Sequence, residues 1–500
     1  MFSWLEQDRT KRLLCLAVCA AACAAAICSL SWRMLNDTPI LLYLSNLMVR
    51  QGAIPYRDFF DMNLPGSYWM FGLLIRTLGT SDSAVHVANV IVIAAISGLM
   101  YWAISKPCHW CATLGVGLGA LRVFSGEWVF VLQRELFALI PIAGLMVIGL
   151  RDPLRAYLKA MVVGLLLAWL ALIKPQLVLY GLPVIVLLGL ECGSWRQRVQ
   201  LFAVMGVCGA LPLVACALWL VRNGAWDGFC EVVQYWSLYG QMAANYEFVS
   251  AGARFVHIMR GMLKMLLSPY SAVAAGALYA GWQSRALSRK EIALLGGFLL
   301  LTIAVPALSG QFWGYHRLPF FYLTLCVSGY LLLGRVWSMG VGLMLALFWI
   351  HFAGWRVWRE TSVSSVVSLK HGVPDAFGRF LEKHLQPGDR VQPDDWACGA
   401  LQGMLIADAL PATRFPYTFY FRHHVSHPLI KKLRHEFTES LENQPPRYLL
   451  EATTVLMPKG LDTEQHIQPF ETWRNSHYHV VEEGGHYRIW ERNRLQDERE

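Results

Sequence analysis

Asp37, Asp58 and Asp61 fall in one stretch, residues 34–83, between the first two long apolar runs of the chain. Carboxylates of this kind can take a proton from a hydroxyl, the work of a general base. Arg57 lies among them, and Arg134, Lys174, His316 and Arg317 stand at the ends of later apolar runs. Arginine forks grip phosphate oxygens in pairs and lysine supplies a point charge, so these cations suit an anionic group. Tyr56, Glu135, Tyr235 and Tyr239 add the polar and aromatic surface that lines a substrate groove.

Most of these groups also have a plainer reading. Arg57 and Arg317 are long enough to snorkel toward lipid headgroups. Arg134 and Glu135 can pair at a helix entrance, His316 can cap a helix, and the tyrosines fit an interfacial aromatic belt as readily as a groove. Asp82, Asp227 and Glu231 read as ordinary loop acids. Lys174 is harder to dismiss, because a lysine beside Pro175 between two apolar spans is costly unless paired or functional.

The chain that must position these residues is 500 residues long, 55% hydrophobic and only 15% charged, with a mean hydropathy of +0.39. Soluble domains carry about a quarter charged residues, so a water-soluble enzyme is excluded. Aromatics at 13% and 22 prolines exclude a disordered or fibrous chain, leaving a polytopic membrane protein. The net charge of +9 divides unevenly: residues 1–358 hold 26 Lys+Arg against 14 Asp+Glu, whereas residues 359–500 hold 17 against 20. Basic residues in short loops between apolar runs are a membrane pattern, and no basic stripe with interleaved aromatics points to nucleic acid.

Stretches long enough to cross about 30 Å of hydrocarbon lie near 13–33, 84–104, 110–124, 132–150, 157–173, 175–191, 201–221, 262–282, 291–309, 318–334 and 338–356, about eleven spans. The fifth and sixth, separated by Lys174-Pro175, read equally as one broken helix. Arg9, Lys11 and Arg12, then Lys106, then Arg151, Arg155 and Lys159, then Arg196 and Arg198, then Arg285, Arg289 and Lys290, then Arg335 make every second loop basic. The positive-inside rule therefore places the amino terminus in the cytoplasm and residues 359–500 on the outer side. The first run continues into Trp32-Arg33, which suits a retained helix better than a cleaved signal. On this topology Asp37, Asp58, Asp61, Asp82, Glu127, Glu135, Asp227, Glu231 and Glu247 all map to the outer face.

The first outer loop opens Asn36-Asp37-Thr38-Pro39 and continues through an amphipathic stretch, where Leu41, Leu44, Leu47 and Met48 share a helical face suited to the membrane interface. It then reads Gly52-Ala53-Ile54-Pro55-Tyr56-Arg57-Asp58-Phe59-Phe60-Asp61-Met62-Asn63-Leu64-Pro65-Gly66. With Gln133-Arg134-Glu135, Lys174-Pro175-Gln176 and Gly314-Tyr315-His316-Arg317-Leu318-Pro319, this order of motifs resembles the GT-C glycosyltransferases that use polyprenyl-phosphate sugars, in the branch of the aminoarabinose transferases and protein O-mannosyltransferases.

The resemblance implies an all-α polytopic membrane bundle over residues 1–358, with an outer-side cavity that receives a lipid-linked sugar. It implies transfer of that sugar to a lipid, glycan or protein hydroxyl outside the cytoplasmic membrane, without a cofactor. It gives Asp37 the role of general base, with Asp58 and Asp61 as alternatives, and a single in-line displacement inverts the anomeric carbon. Many relatives carry Lys-Pro-Pro after the second acidic motif. Here Asn63-Leu64-Pro65 stands in that place, so one phosphate-binding lysine is missing. No ligand motif of fixed spacing indicates a metal, although several acids share the face. A transporter or flippase is the rival reading, but the internal repeats of transporters are not found; a polysaccharide polymerase or ligase differs mainly in acceptor size.

Most of the 12 cysteines lie in apolar spans as small hydrophobes. Cys230 and Cys398 lie outside them and are candidates for a disulfide in an oxidising compartment. Cys108-His109-Trp110-Cys111 is a lone C-x-x-C in a short cytoplasmic loop, too few ligands for zinc. Residues 359–500 hold ten of the 15 histidines and recurrent turn signals. Helices over the Phe377–Leu381 and Leu429–Leu441 segments, a strand at Arg447–Leu450 and a hairpin around Gly484-Gly485 make this an extracytoplasmic α/β domain. His423, His424 and His427 invite a metal, but lack a clear fourth ligand and read better as a polar turn.

Overall fold

The computed structural model describes every residue except 1, 35–36, 127–129, 244–245, 335, 368–371, 396–398, 454–456 and 494–500, so Glu127, Arg335 and Cys398 of the sequence reading lie outside the described residues. Two compact units are built from interleaved segments. One comprises residues 1–33, 81–216 and 258–366; the other comprises residues 34–80, 217–257 and 367–500.

The first unit is helical throughout. A helix satisfies its backbone N–H and C=O groups internally, which is what hydrocarbon demands. Among the described residues, six helices are long and apolar enough to cross a membrane: Arg9–Ser29, Asp82–Ile104, Ala156–Ile173, Trp195–Arg222, Arg289–Ser309 and Gly340–Ser362. The remaining predicted spans fall on shorter or interrupted helices. His109–Phe124, Arg134–Arg151 and Leu318–Ser328 are buried along most of their length, so they form the interior. After Ile173, Lys174 is extended (φ −164°, ψ 114°), and Pro175 starts a 3-10 segment that becomes the helix Leu182–Glu191. The predicted span 262–282 is instead two helices, Ala251–Leu266 and Pro269–Gln283. Ser268 caps the second through the Ser271 N–H, and Pro269 has no N–H with which to continue the first.

Glycines permit the closest helix contacts. A Cβ on Gly115 would run into the Cys326 carbonyl, and one on Gly329 into the Cys111 carbonyl, so the helices His109–Phe124 and Leu318–Ser328 meet backbone to backbone. At one end of this unit, loops predicted to be cytoplasmic are tied by ion pairs. Lys290 lies 2.5 Å and Lys159 3.4 Å from Glu191, and Lys106 lies 3.9 Å from Glu291.

In the second unit, residues 37–51 and 65–78 form two helices, with the Tyr56–Gly66 segment leading from one toward the other. Most of Thr38–Leu47 is buried, including polar Asn46, so the first helix is a packed element more than a surface-lying one. Residues 390–492 carry a five-stranded sheet. Arg390–Asp394 pairs in parallel with Leu410–Pro411 and with Tyr448–Ala452, while the hairpin Tyr478–Gly484/Tyr487–Arg492 adds antiparallel strands to Tyr448–Ala452. The helices Val373–His384 and Pro428–Asn443 bury Phe377, Phe380, Leu381, Leu429, Leu433, Phe437 and Leu441.

Candidate functional site

Five residues singled out in the sequence converge in the first unit. Glu135 enters from the first turn of Arg134–Arg151, Lys174 from the extended break before Pro175, and His316 from the short turn Tyr315–Arg317. Lys174 Nζ lies 2.8 Å from Glu135 Oε1 and 3.1 Å from His316 Nε2, and the Glu135 and His316 side chains are only 3% and 4% exposed. An ammonium only donates, so His316 Nε2 must accept. The imidazole is therefore neutral, with its proton on Nδ1, 3.4 Å from Ser309 Oγ. Arg134 and Arg317 are close enough to act electrostatically on this group.

Several polar atoms here have no protein partner among the described residues: Glu135 Oε2, the Tyr180 hydroxyl, and both side-chain polar atoms of Gln133, which is 1% exposed. Buried polar groups are normally satisfied, so these atoms stand out from the rest of the unit.

Sequence reasoning missed the continuation of this cluster. Arg122, in the last turn of His109–Phe124, lies over the Phe321 ring at 4.3 Å, the Phe130 ring at 4.8 Å and the Trp349 ring at 5.7 Å. It hydrogen-bonds Tyr270, and Arg317 and Arg356 are near enough to repel it. Arg317 stacks over Phe321 at 5.7 Å, and its Nε is unsatisfied. Guanidiniums held near one another on aromatic faces form a receptor for an anion of multiple charge. The available signal was Arg122 inside an otherwise apolar stretch, the same anomaly that drew attention to Lys174.

The candidates in the second unit are placed differently. Asp37 is half-buried in the first turn of Asp37–Gln51, where a carboxylate complements the positive helix end. Asp58 is clasped by Arg57, whose Nε and a terminal nitrogen each lie 2.8 Å from a different carboxylate oxygen, and it accepts the Ile54 N–H at 2.7 Å. Burial works to raise the Asp58 pKa, but the Arg57 bonds and the Ile54 N–H outweigh it and hold the group below the usual carboxylate range. Arg57 is thus committed to Asp58, and its other terminal nitrogen reaches the Asn223 carbonyl at 3.1 Å.

Asp61 is fully buried and accepts five hydrogen bonds: from Tyr417 at 2.5 Å, Tyr420 at 3.1 Å, Tyr68 at 2.6 Å, and Asn63 through its side chain at 2.6 Å and its backbone at 3.2 Å. These bonds engage most of its lone pairs. Tyr56 and Tyr235, expected to line a groove, are both fully buried. The Tyr56 hydroxyl donates to the Asn63 carbonyl at 2.6 Å, and the Tyr235 hydroxyl meets His423 Nε2 at 2.7 Å. Tyr239 is half-buried against Phe419. His423 is also stacked on Phe248 at 4.2 Å, and His427 Nδ1 caps the helix Pro428–Asn443. Among the described residues, no three His, Cys, Asp or Glu side chains gather as a metal site. Cys230 is an exposed free thiol.

No protein-family model and no curated protein sequence matches the chain. Among solved structures it is similar to ArnT from Cupriavidus metallidurans bound to undecaprenyl phosphate, at 13% identity with a TM-score of 0.62, covering 96% of this chain and 98% of that one. The apo state of the same protein matches with a TM-score of 0.60 over 95% and 97% of the two chains, also at 13% identity. Coverage this complete at so low an identity is agreement of architecture. The chain has the fold of those ArnT structures.

Proposed function

We propose that this protein is a multi-pass membrane glycosyltransferase, taking a sugar from a polyprenyl-phosphate donor to a hydroxyl of a lipid, glycan or protein acceptor on the outer side of the cytoplasmic membrane. The observation that carries the reading is the set of half-buried cations in the first unit, Lys174, Arg134, Arg317 and Arg122, beside the buried Glu135 and His316. The ArnT structure with undecaprenyl phosphate supports a carrier of the same class. The ion-paired basic loops at one end of that unit support a cytoplasmic amino terminus.

In this reading Arg317 and Arg122 grip the phosphate oxygens and stabilise the negative charge that grows as the sugar leaves. Lys174 is partly neutralised by Glu135, so it contributes hydrogen bonds and position more than net charge. Asp37, half-buried in the first turn of its helix, takes the acceptor proton. Displacement in one step inverts the anomeric carbon.

Binding of undecaprenyl phosphate to the detergent-solubilised protein tests the assignment. Arg317→Ala and Arg122→Ala should each weaken it at least about tenfold, corresponding to about 1.4 kcal/mol. Affinity unchanged in both variants would remove the arginines from the phosphate site.

A further inference from the structure

The C-x-x-C of residues 108–111 is unused by this chemistry, and its geometry is not that of two packing cysteines. Cys108 occupies the N-cap of the helix His109–Phe124, a position that favours Ser, Thr, Asp or Asn, and its Sγ accepts the Cys111 backbone N–H at 3.3 Å. The Cys111 side chain also hydrogen-bonds the Cys108 sulfur. The two thiols differ in access: Cys108 is half-buried in a surface loop, whereas Cys111 is 1% exposed directly beneath it. A sulfur at a helix N-terminus, fed by N–H and S–H donors and near the Lys11 ammonium, is stabilised as thiolate. The Cys111 hydrogen bond is the largest cause, and together these contacts outweigh burial and bring Cys108 down to about 6.

We propose that Cys108 and Cys111 form a thiol–disulfide exchange pair, with Cys108 the attacking thiolate, Cys111 the resolving thiol, and a low-molecular-weight disulfide of the glutathione type as the reaction partner. The Cys108 thiolate attacks one sulfur of the disulfide, forming a mixed disulfide and expelling one thiolate. Cys111 gives up its proton and attacks Cys108 Sγ, forming the 108–111 bond and expelling the second thiolate. The cysteine pair loses two electrons and two protons, and the small disulfide gains them as two thiols.

The pair sits where the helix meets Leu318–Ser328 most closely, because the Cys111 carbonyl occupies the space a Cβ on Gly329 would need. Oxidation therefore acts on the first turn of an interior helix.

The test uses the full-length protein in detergent with oxidised glutathione at pH 7, followed by mapping of the cysteine-containing peptides. Wild type should yield the 108–111 disulfide, a peptide lighter by two hydrogens. Cys111→Ser keeps a hydroxyl donor to Cys108 and should trap glutathione on Cys108. Wild-type Cys108 should also be alkylated by iodoacetamide with a midpoint of about 6, against about 8.5 for an ordinary thiol. Glutathione adducts on Cys108 no more abundant than on Cys230, together with an ordinary alkylation midpoint, would overturn the proposal.

Discussion

Lys174 Nζ lies 2.8 Å from Glu135 Oε1, with the two side chains 15% and 3% exposed. Such a pair is stable as a unit and costly when halved, since removing one partner strands a charge in a poorly solvated place. Glu135→Gln or Lys174→Met alone should therefore destabilise the protein by about 3 kcal/mol or more. Glu135→Leu with Lys174→Met should recover most of that loss. Thermal unfolding in detergent measures all three, and equal destabilisation by the double and single variants would show that the residues are not coupled. The double variant should regain its fold without regaining sugar transfer, which separates the two roles.

Asp61 anchors the Tyr56–Gly66 segment to Tyr417 and Tyr420 through hydrogen bonds to a buried carboxylate. Bonds to a charged group contribute about 1.5–3 kcal/mol each, and three tyrosine hydroxyls depend on this one. Asp61→Ala should lower the unfolding midpoint strongly and speed proteolysis of the 56–66 segment. Asp58→Ala, which frees an exposed arginine, should do much less. Similar proteolysis of the two variants would contradict the anchor.

Burial pushes His423 well below the ordinary histidine range, with His424 adding a smaller push in the same direction. Its folded pKa lies below its unfolded value near about 6.5, so the unfolded chain takes up a proton the folded one refuses. Stability from this group is complete above about 6.5 and is lost as pH falls below it. Unfolding midpoints at pH 7.5 and pH 5 should differ more in wild type than in His423→Phe, which keeps a ring against Phe248. An unchanged pH dependence in the variant would assign the effect to other groups.

Gly329→Ala places a methyl group against the Cys111 carbonyl, where backbone cannot yield as a side-chain tip can. Overpacking costs about 1–3 kcal/mol, and this site belongs at the upper end of that range. Gly340→Ala, with open space around it, is the control. Indistinguishable melting of the two variants would mean that the helices do not meet at these glycines.

Apolar length alone identifies a helix in hydrocarbon, and six of the eleven stretches read from the sequence fall on described helices long and apolar enough to cross. The sequence reading took 262–282 as one span and missed its break, although Ser268-Pro269 is a cap followed by a residue that cannot donate. Lys174 stood out as a charge at a span end, where hydrocarbon makes it expensive, but its pairing with Glu135 and His316 was not read from the sequence. The anchoring of Asp61 did not follow, because two of its three tyrosine partners, Tyr417 and Tyr420, lie 356 and 359 residues away. The burial of Tyr235 was illegible for the same reason, since its partner His423 lies 188 residues away.

Sugar transfer itself is the most direct test of the central claim. Purified wild type and Asp37→Asn would be given a panel of radiolabelled polyprenyl-phosphate sugars with a membrane-lipid extract, and labelled acceptor and released polyprenyl phosphate would be counted. Wild type should transfer sugar from at least one donor with inversion. Asp37→Asn, melting at the wild-type temperature, should lose about 100-fold or more, the usual share of a general base. Equal turnover by the two proteins would remove Asp37 from the chemistry, and failure of wild type to release polyprenyl phosphate from any donor would contradict the assignment as a transferase.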